Sequence, residues 1–225
     1  ISLLNENTII AGSGVVDKAL SEFAKENSLS GFEFLSCIPG TVGGGIRMNS
    51  GCFGKEFKDI LISVQAAKKN GEILTISAKD IVFGYRTCNL PKELIFLSAS
   101  FQGNKKNKEI IEEEVNILKA KKILEKYPKK FSKSAILPLL HLAQEQLDGW
   151  LNKSSIQYIS KYLKLPLINV YEVATFYHMF NLKKVGKNCI GVCTTTPCWL
   201  RGSDLILKKF EKDLNIKVGS ITKDG

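Results

Sequence analysis

The chain has 225 residues, 44% of them hydrophobic, and a formal net charge of +10. That is enough apolar material for one large core or two small ones, and no apolar run reaches the ~18–20 residues a membrane span needs. The excess charge lies wholly in residues 104–225, where Arg201 is the one arginine among lysines and few aromatics interleave. That pattern argues for a solvated lysine surface, or a face for an acidic partner, over a nucleic-acid arm. The start, Ile-Ser-Leu, has no signal peptide and does not read as a natural N-terminus; the ending Ile-Thr-Lys-Asp-Gly reads as cut as well. Six cysteines are too few for a disulfide scaffold of this length, which points to a reducing, cytoplasmic setting.

Thr8–Ala11 reads as a strand, Gly12-Ser13-Gly14 as a tight turn, and Val15–Asn27 as a helix with Val16, Leu20, Phe23 and Ala24 on one face. The turn falls short of a dinucleotide fingerprint, because Asp17 stands where the third small residue belongs. Gly31–Leu35 leads into Ile38–Gly54, which holds six of the 18 glycines. Pro39 stiffens its start, and Val42, Ile46 and Met48 do not suit a mobile linker. A packed loop offering bare backbone N–H groups to an anionic ligand is the expectation. Ile60–Ala67 and Glu72–Ile76 read as strands around an Asn70-Gly71 turn, Ser77–Asp80 as a Ser-capped helical turn, and Leu94–Phe101 as a further strand. Arg86, in Phe83-Gly84-Tyr85-Arg86, reads locally as a surface salt-bridge residue.

Gly31–Gly54 together with Tyr85-Arg86 resembles the UDP-N-acetylenolpyruvoylglucosamine reductases, flavoenzymes of peptidoglycan precursor synthesis. The resemblance runs over about residues 1–103. It implies a partial FAD-binding α+β domain of the PCMH-like type. Ile38, Pro39, Gly40, Thr41, Gly43, Gly44, Asn49 and Gly51 would contact FAD, and Arg86 would hold the carboxylate of a UDP-sugar substrate, with NAD(P)H as electron donor. Cys37 and Ser50 depart from the Gly and Ala usual in that family. The family's upstream Gly-Gly-Gly-Ser-Asn segment and its proton-donating Ser have no counterpart in these 225 residues.

Asn104–Lys108 reads as a polar linker. Glu109–Tyr127 reads as a helix with acids early, lysines late and Pro128 as its stop. Ser134–Leu147 reads as a helix that tolerates Pro138, Ser154–Leu163 as a Ser-capped helix, and Val170–Phe180 as a buried apolar helix. His141 and His178 read as core residues. Asn188–Val192 reads as a strand running into Cys193-Thr-Thr-Thr-Pro-Cys198, with a helix over Ser203–Leu214. The gap of four residues is too wide for the Cys-x-x-Cys redox motif. Spacing alone leaves core cysteines and a pair of iron ligands both open.

Four stretches carry a second resemblance: Lys133-Ser-Ala-Ile-Leu-Pro-Leu-Leu140, Gly149-Trp150-Leu151, Tyr171-Glu-Val-Ala-Thr-Phe-Tyr177, and Cys193-Thr-Thr-Thr-Pro-Cys-Trp-Leu-Arg-Gly-Ser203. Together they resemble the thioredoxin-fold [2Fe–2S] subunit of respiratory NADH:quinone oxidoreductase. That implies Cys193 and Cys198 as two of four cluster ligands. It also implies a flavin-bearing, NADH-oxidising partner subunit, with the complex peripheral to the inner face of the membrane. No nucleic acid and no direct membrane span are expected. The fold expected is α+β: the FAD-binding fragment over 1–103, a linker and helix containing the junction over 104–120, a helical part over 121–182, and a truncated thioredoxin-like α/β domain over 183–225. The junction is placed in Glu112–Lys122. The chain thus reads as a fused or chimeric oxidoreductase fragment, with a structural piece holding no cofactor as the alternative.

Overall fold

The computed structural model describes residues 1–222; Lys223-Asp224-Gly225, the last part of the Ile-Thr-Lys-Asp-Gly ending, lies outside the described residues. The chain divides into two units, Ile1–Lys122 and Ile123–Gly225.

The first unit opens with β1 (Ser2–Asn5) and β2 (Thr8–Gly12), then α1 (Asp17–Glu26) and β3 (Leu29–Ser30). A 3-10 turn over Glu33–Cys37 precedes α2 (Val42–Arg47), and β4 (Gly51–Cys52) and β5 (Lys55–Glu56) make a small hairpin. Next come β6 (Leu61–Ala67) and β7 (Ile73–Ser77), joined at Asn70-Gly71 as the dipeptide predicts, with Gly71 at φ +85°. The expected Ser77 cap is present, its hydroxyl accepting the Lys79 N–H. A second small hairpin, β8 (Phe83–Gly84) and β9 (Thr87–Cys88), leads to β10 (Ile95–Gln102), β11 (Asn104–Lys105) and α3 (Lys108–Glu125). Instead of a free linker, Asn104 and Lys105 pair with Ser30 and Leu29, which satisfies backbone groups that would otherwise face water alone.

The sheet is antiparallel, in the order β1-β2-β10-β6-β7. Its central strand carries the register: Ala99 stands opposite Ala11 on one side and Val64 on the other. A bulge between Phe96 and Ser98 shifts the alternation, so Phe96 turns inward with Ala99 and Phe101 although their spacing differs from two. The covered face meets Leu20 and Ala24 of α1 and Phe34 and Leu35 of the 3-10 turn. Phe57 is the hinge of an aromatic cluster, edge-on to Phe34 at 6.3 Å and to Phe101 at 6.0 Å, with Phe32 at 6.4 Å from Phe101. Full burial of one such ring contributes about 1.5–3 kcal/mol, and an edge-to-face pair roughly 0.5–1.5 kcal/mol more.

The second unit is helical among the described residues. A 3-10 segment over Lys129–Ala135 runs into α4 (Ile136–Gln146), followed by α5 (Lys153–Leu163) and α6 (Leu167–Phe176). Pro138 is accommodated in the first turn of α4, where its missing N–H would have no partner within the helix. Asn152, rather than a serine, caps α5 by accepting the Ser155 N–H at 2.8 Å. Ile136, Leu140, Ile156, Val170 and Ala174 are buried among these helices. The apolar run Val170–Phe180 is less buried than its composition suggests: α6 ends at Phe176, and Tyr171, Phe176 and His178 are exposed. His141 instead lies 4.9 Å from the buried Phe180 ring. Gln144 ties the Gly149-Trp150-Leu151 stretch to Asn181: its side chain accepts the Asn181 N–H at 2.8 Å, and its carbonyl accepts the Gly149 N–H at 2.9 Å. The predicted strand over residues 188–192 is irregular chain without a strand partner among the described residues. α7 (Thr196–Leu200) and α8 (Ser203–Leu214) close the described chain. No helix among the described residues is long and apolar enough to cross a membrane.

Two neighbouring glycines test this packing. A Cβ on Gly45 would lie 2.2 Å from the Phe57 ring, whereas one on Gly44 meets nothing nearer than 3.6 Å. Gly45→Ala is expected to destabilise the first unit by about 1–3 kcal/mol. Gly44→Ala is expected to be neutral or to stabilise by up to ~1 kcal/mol. Urea unfolding followed by circular dichroism compares them; equal stabilities would refute the packing.

Candidate functional site

The glycine-rich stretch is a short helix laid against the turn after β2. The Leu97 carbonyl, freed at the β10 bulge, accepts the Ser13 N–H at 2.8 Å; the Ser13 carbonyl accepts the Gly43 N–H, also at 2.8 Å. The Val15 carbonyl accepts Val42 N–H at 2.9 Å, and the Gly40 carbonyl accepts Asp17 N–H at 3.0 Å. Two glycine-bearing segments therefore run backbone against backbone, bridged at Val16 and Thr41. Close approach is what needs the missing side chains. A Cβ on Gly43 would sit 3.0 Å from Ser13 Cβ, one on Gly40 would sit 2.8 Å from Asp17 Oδ2, and one on Gly51 would sit 2.5 Å from the Lys55 carbonyl oxygen.

Each residue expected to face FAD has a definite place. Ile38 is half-buried against the core, and Pro39 is exposed. Thr41 is exposed at the N-cap of α2 with its hydroxyl free of a capping bond, while its carbonyl accepts Gly45 N–H at 2.8 Å. Gly44 is exposed, and a Cβ there would meet only Thr41 Oγ1, at 3.6 Å. Asn49 is buried, at φ +41°, and wholly committed: its amide donates to Glu56 at 3.0 Å and to the Gly84 carbonyl at 3.4 Å, and its oxygen accepts Lys58 N–H at 3.1 Å. The Gly84 bond brings the β8–β9 hairpin to the glycine stretch. At the tip of that hairpin Arg86 is exposed at φ +53°, its guanidinium 5.8 Å from the Tyr85 ring centroid. It forms no salt bridge among the described residues, contrary to the local reading. The open, side-chain-poor surface over Thr41 and Gly44 suits the backbone approach of an anionic group. Gly40, Gly43, Gly45 and Gly51 are each closely packed against the chain itself.

Sequence reasoning passed over two residues. Arg47, in the last turn of α2, donates to the carbonyls of Leu90 and Pro91 at 3.0 Å each and of Leu94 at 2.8 Å, and lies 4.2 Å over the Phe96 ring. Its isolation as a cation within the glycine stretch was the available signal. Asp17 is fully buried with neither carboxylate oxygen hydrogen-bonded. Burial raises it from 3.8 to about 6. An acid opening a helix behind a Gly-x-Gly turn was visible, but that Gly40 would close over it was not.

The second unit holds the cysteine pair. Cys193 is exposed on the irregular segment before α7 and Cys198 is half-buried in α7. Thr195 Oγ1 lies 3.2 Å from Cys193 Sγ, and the Thr195 carbonyl accepts Trp199 N–H at 2.8 Å, fixing the loop between the thiols. The Thr195 hydroxyl, the Thr195 backbone N–H and the Cys198 thiol, in that order, hold Cys193 down at about 7, below its ordinary 9.0. Cys198 moves upward, chiefly through its hydrogen bond with Cys193. Among the described residues no cluster of three or more Cys, His or carboxylate groups could hold a metal.

Comparison with known proteins assigns the halves differently. Residues 2–77 match the FAD binding domain family and residues 120–225 match the thioredoxin-like [2Fe-2S] ferredoxin family. The chain is 61% identical over 122 residues to UDP-N-acetylenolpyruvoylglucosamine reductase of Pelagibacter ubique, covering 54% of this chain and 40% of that protein. It is 57% identical over 109 residues to an NADH-quinone oxidoreductase subunit from Rickettsia bellii, covering 48% of this chain and 65% of that subunit. With the corresponding subunit from Rickettsia felis the identity is 51% over 128 residues, 57% of this chain and 71% of that subunit. A solved structure of UDP-N-acetylenolpyruvylglucosamine reductase from Thermus caldophilus is 28% identical at a TM-score of 0.49, covering 54% of this chain and 45% of that one. The chain therefore spans less than half of the reductase and about two thirds of the respiratory subunit. The reductase match and the longer respiratory match together exceed the chain, so they overlap.

Asp17 gives a pH test. A carboxyl raised from 3.8 to about 6 by folding binds more protons in the folded state. Its contribution is therefore fully present below pH ~4 and is lost as pH rises toward ~6. Asp17→Asn, which carries no charge at any pH, is expected to gain stability relative to the unsubstituted chain across that window, with the difference constant above it. Thermal unfolding from pH 4 to 8 measures this; a pH-independent difference would show that Asp17 is not buried as described.

Proposed function

The chain belongs through residues 120–225 to the thioredoxin-like [2Fe–2S] ferredoxin family, and we propose on that premise that its second half is an electron-transfer piece. It resembles two oxidoreductase families, each over part of its length, the other being the flavin-dependent reductases matched by its first half. The observation that carries the proposal is the Cys193 thiol held 3.2 Å from Thr195 Oγ1, with Cys198 following in the first turn of α7. Those two residues would hold one iron, and the cluster would supply one-electron transfer. The Thr195 hydroxyl keeps negative charge on Cys193 favourable, which is what a thiolate ligand requires.

In the first half, Ile38, Pro39, Gly40, Thr41, Gly43, Gly44, Asn49 and Gly51 form the proposed FAD-facing segment. Within it Thr41 and Gly44 present the open surface, and Asn49 and Gly51 act by holding the segment's shape. FAD would supply hydride transfer, with NAD(P)H as donor. Arg86 would meet the carboxylate of a UDP-sugar enolpyruvyl substrate, its exposed guanidinium suited to bidentate pairing. A flavin-bearing NADH-oxidising subunit is the proposed partner of the second half, with a cytoplasmic place beside the membrane. The proposed divisions are 1–103, 104–120, 121–182 and 183–225, with the junction in Glu112–Lys122. Neither cofactor set is complete within the 225 residues: Cys193 and Cys198 are two of four cluster ligands.

A second reading, a structural piece holding no cofactor, draws on the internal commitment of Asn49 and the packing use of Gly43, Gly45 and Gly51. Visible spectra after incubation with FAD, and separately with ferrous iron and sulfide, distinguish the readings. Flavin bands retained through gel filtration support the first half, iron–sulfur bands the second, and neither supports the structural piece. Cys193→Ser is expected to abolish the iron–sulfur bands; their survival would reject the ligand assignment.

A further inference from the structure

We propose that Arg47 is a positioning residue for Arg86: by gripping the chain on which the β8–β9 hairpin stands, it fixes where the Arg86 guanidinium is carried relative to α2. The proposal deepens the reading of Arg86 as the residue that meets a substrate carboxylate, and rests on it. The return limb of the hairpin is the part that Arg47 holds. Its guanidinium donates to the Leu90 and Pro91 carbonyls at 3.0 Å each and to the Leu94 carbonyl at 2.8 Å, and lies 4.2 Å from the centroid of the Phe96 ring. Among the described residues Arg47 has no carboxylate partner, so its hydrogen bonds go to main chain. The outgoing limb is held by Asn49, whose amide donates to the Gly84 carbonyl at 3.4 Å, two residues before Arg86.

Between those two grips the hairpin is closed on itself. Asn89 shuts its base: the side-chain oxygen accepts the Val82 N–H at 2.9 Å, and the Asn89 N–H donates to the Val82 carbonyl at 3.0 Å. Phe83 then pairs with Cys88, and Gly84 with Thr87. Arg86 stands at the tip at φ +53°, a left-handed conformation that persists in a non-glycine residue where the surrounding chain dictates it. Its side chain is exposed and meets no carboxylate among the described residues, so its place is set by the main chain beneath it. Both grips come from the end of α2, with Arg47 in its last turn and Asn49 just beyond. The same helix begins beside Thr41 and Gly44, the surface proposed to face FAD. One short helix would therefore set the flavin face and the carboxylate-binding fork against each other. Productive placement of such a group tolerates errors of only about 0.5 Å. A lysine at position 47 keeps the charge but not the fork that spans three carbonyls.

The experiment compares the full chain with Arg47→Lys and Arg86→Ala. Hydrogen–deuterium exchange, read by mass spectrometry, follows residues 82–94, with β6 and β7 as the control for general loosening. Calorimetry in the presence of FAD measures binding of UDP-N-acetylenolpyruvoylglucosamine and of UDP-N-acetylglucosamine, which has no carboxylate. Arg47→Lys is expected to speed exchange over 82–94 about tenfold while β6 and β7 keep their rates. It is also expected to weaken the enolpyruvyl ligand about tenfold and to leave the carboxylate-free ligand unchanged, as Arg86→Ala does. A merely structural clasp would weaken both ligands alike, or neither, and either result overturns the proposal. Exchange over 82–94 that is unchanged in Arg47→Lys overturns it as well. Failure of the underlying reading looks different: the unsubstituted chain then makes no distinction between the two ligands, Arg86→Ala changes nothing, and the proposal falls with the reading. Failure of the proposal alone leaves that distinction intact in Arg47→Lys and lost in Arg86→Ala.

Discussion

The first unit depends on one close approach, the backbone of Gly40–Gly43 against the backbone of Ser13–Asp17. Four main-chain hydrogen bonds, from the Leu97–Ser13 bond at the bulge to the Asp17–Gly40 bond, couple the central strand to the turn and the turn to α2. Side chains would hold these segments apart. At Gly43 and Gly40 the space a Cβ needs is already taken by Ser13 and Asp17. The glycines are therefore a steric condition of the fold before they can be a surface for a ligand. The exposed Thr41 and Gly44 are the part left over for chemistry.

That close approach has an electrostatic cost, and Asp17 bears it. The carboxyl opens α1, where an acid favours the helix dipole, but Gly40 closes over it and leaves both oxygens without hydrogen-bond partners. A polar group in that position persists because the surrounding backbone ladder over-determines it. The second unit solves a comparable problem by exposure: the charge favoured on Cys193 stays at the surface, with a hydroxyl beside it.

Much of the architecture could be read from local chemistry. The Asn70-Gly71 turn, the strands on either side, the Ser77 cap and the stop at Pro128 are each decided by a few neighbouring residues. Other features depend on partners far along the chain. Residues 188–192 have the composition of a strand, but a strand exists only by pairing, and none of the described residues pairs with them. His178 sits in an apolar run yet is exposed, because α6 ends two residues earlier. In the candidate site, the cysteine pair and the glycine stretch were visible as motifs. The internal engagement of Asn49 was not, since Glu56, Lys58 and Gly84 reach it only after two hairpins have formed.

Arg47 has a wider meaning. The chain's cations are almost all lysines, with Arg47, Arg86 and Arg201 the exceptions. At Arg47 a flat, forked head spans three carbonyls from Leu90 to Leu94 while its face covers an aromatic ring. An ammonium has the charge and three donors, but gathered on one nitrogen, without the plane or the spread of the guanidinium fork. In so lysine-rich a polypeptide, the guanidinium of Arg47 marks a place where shape, not charge, is being recognised, and what it recognises is the protein's own main chain.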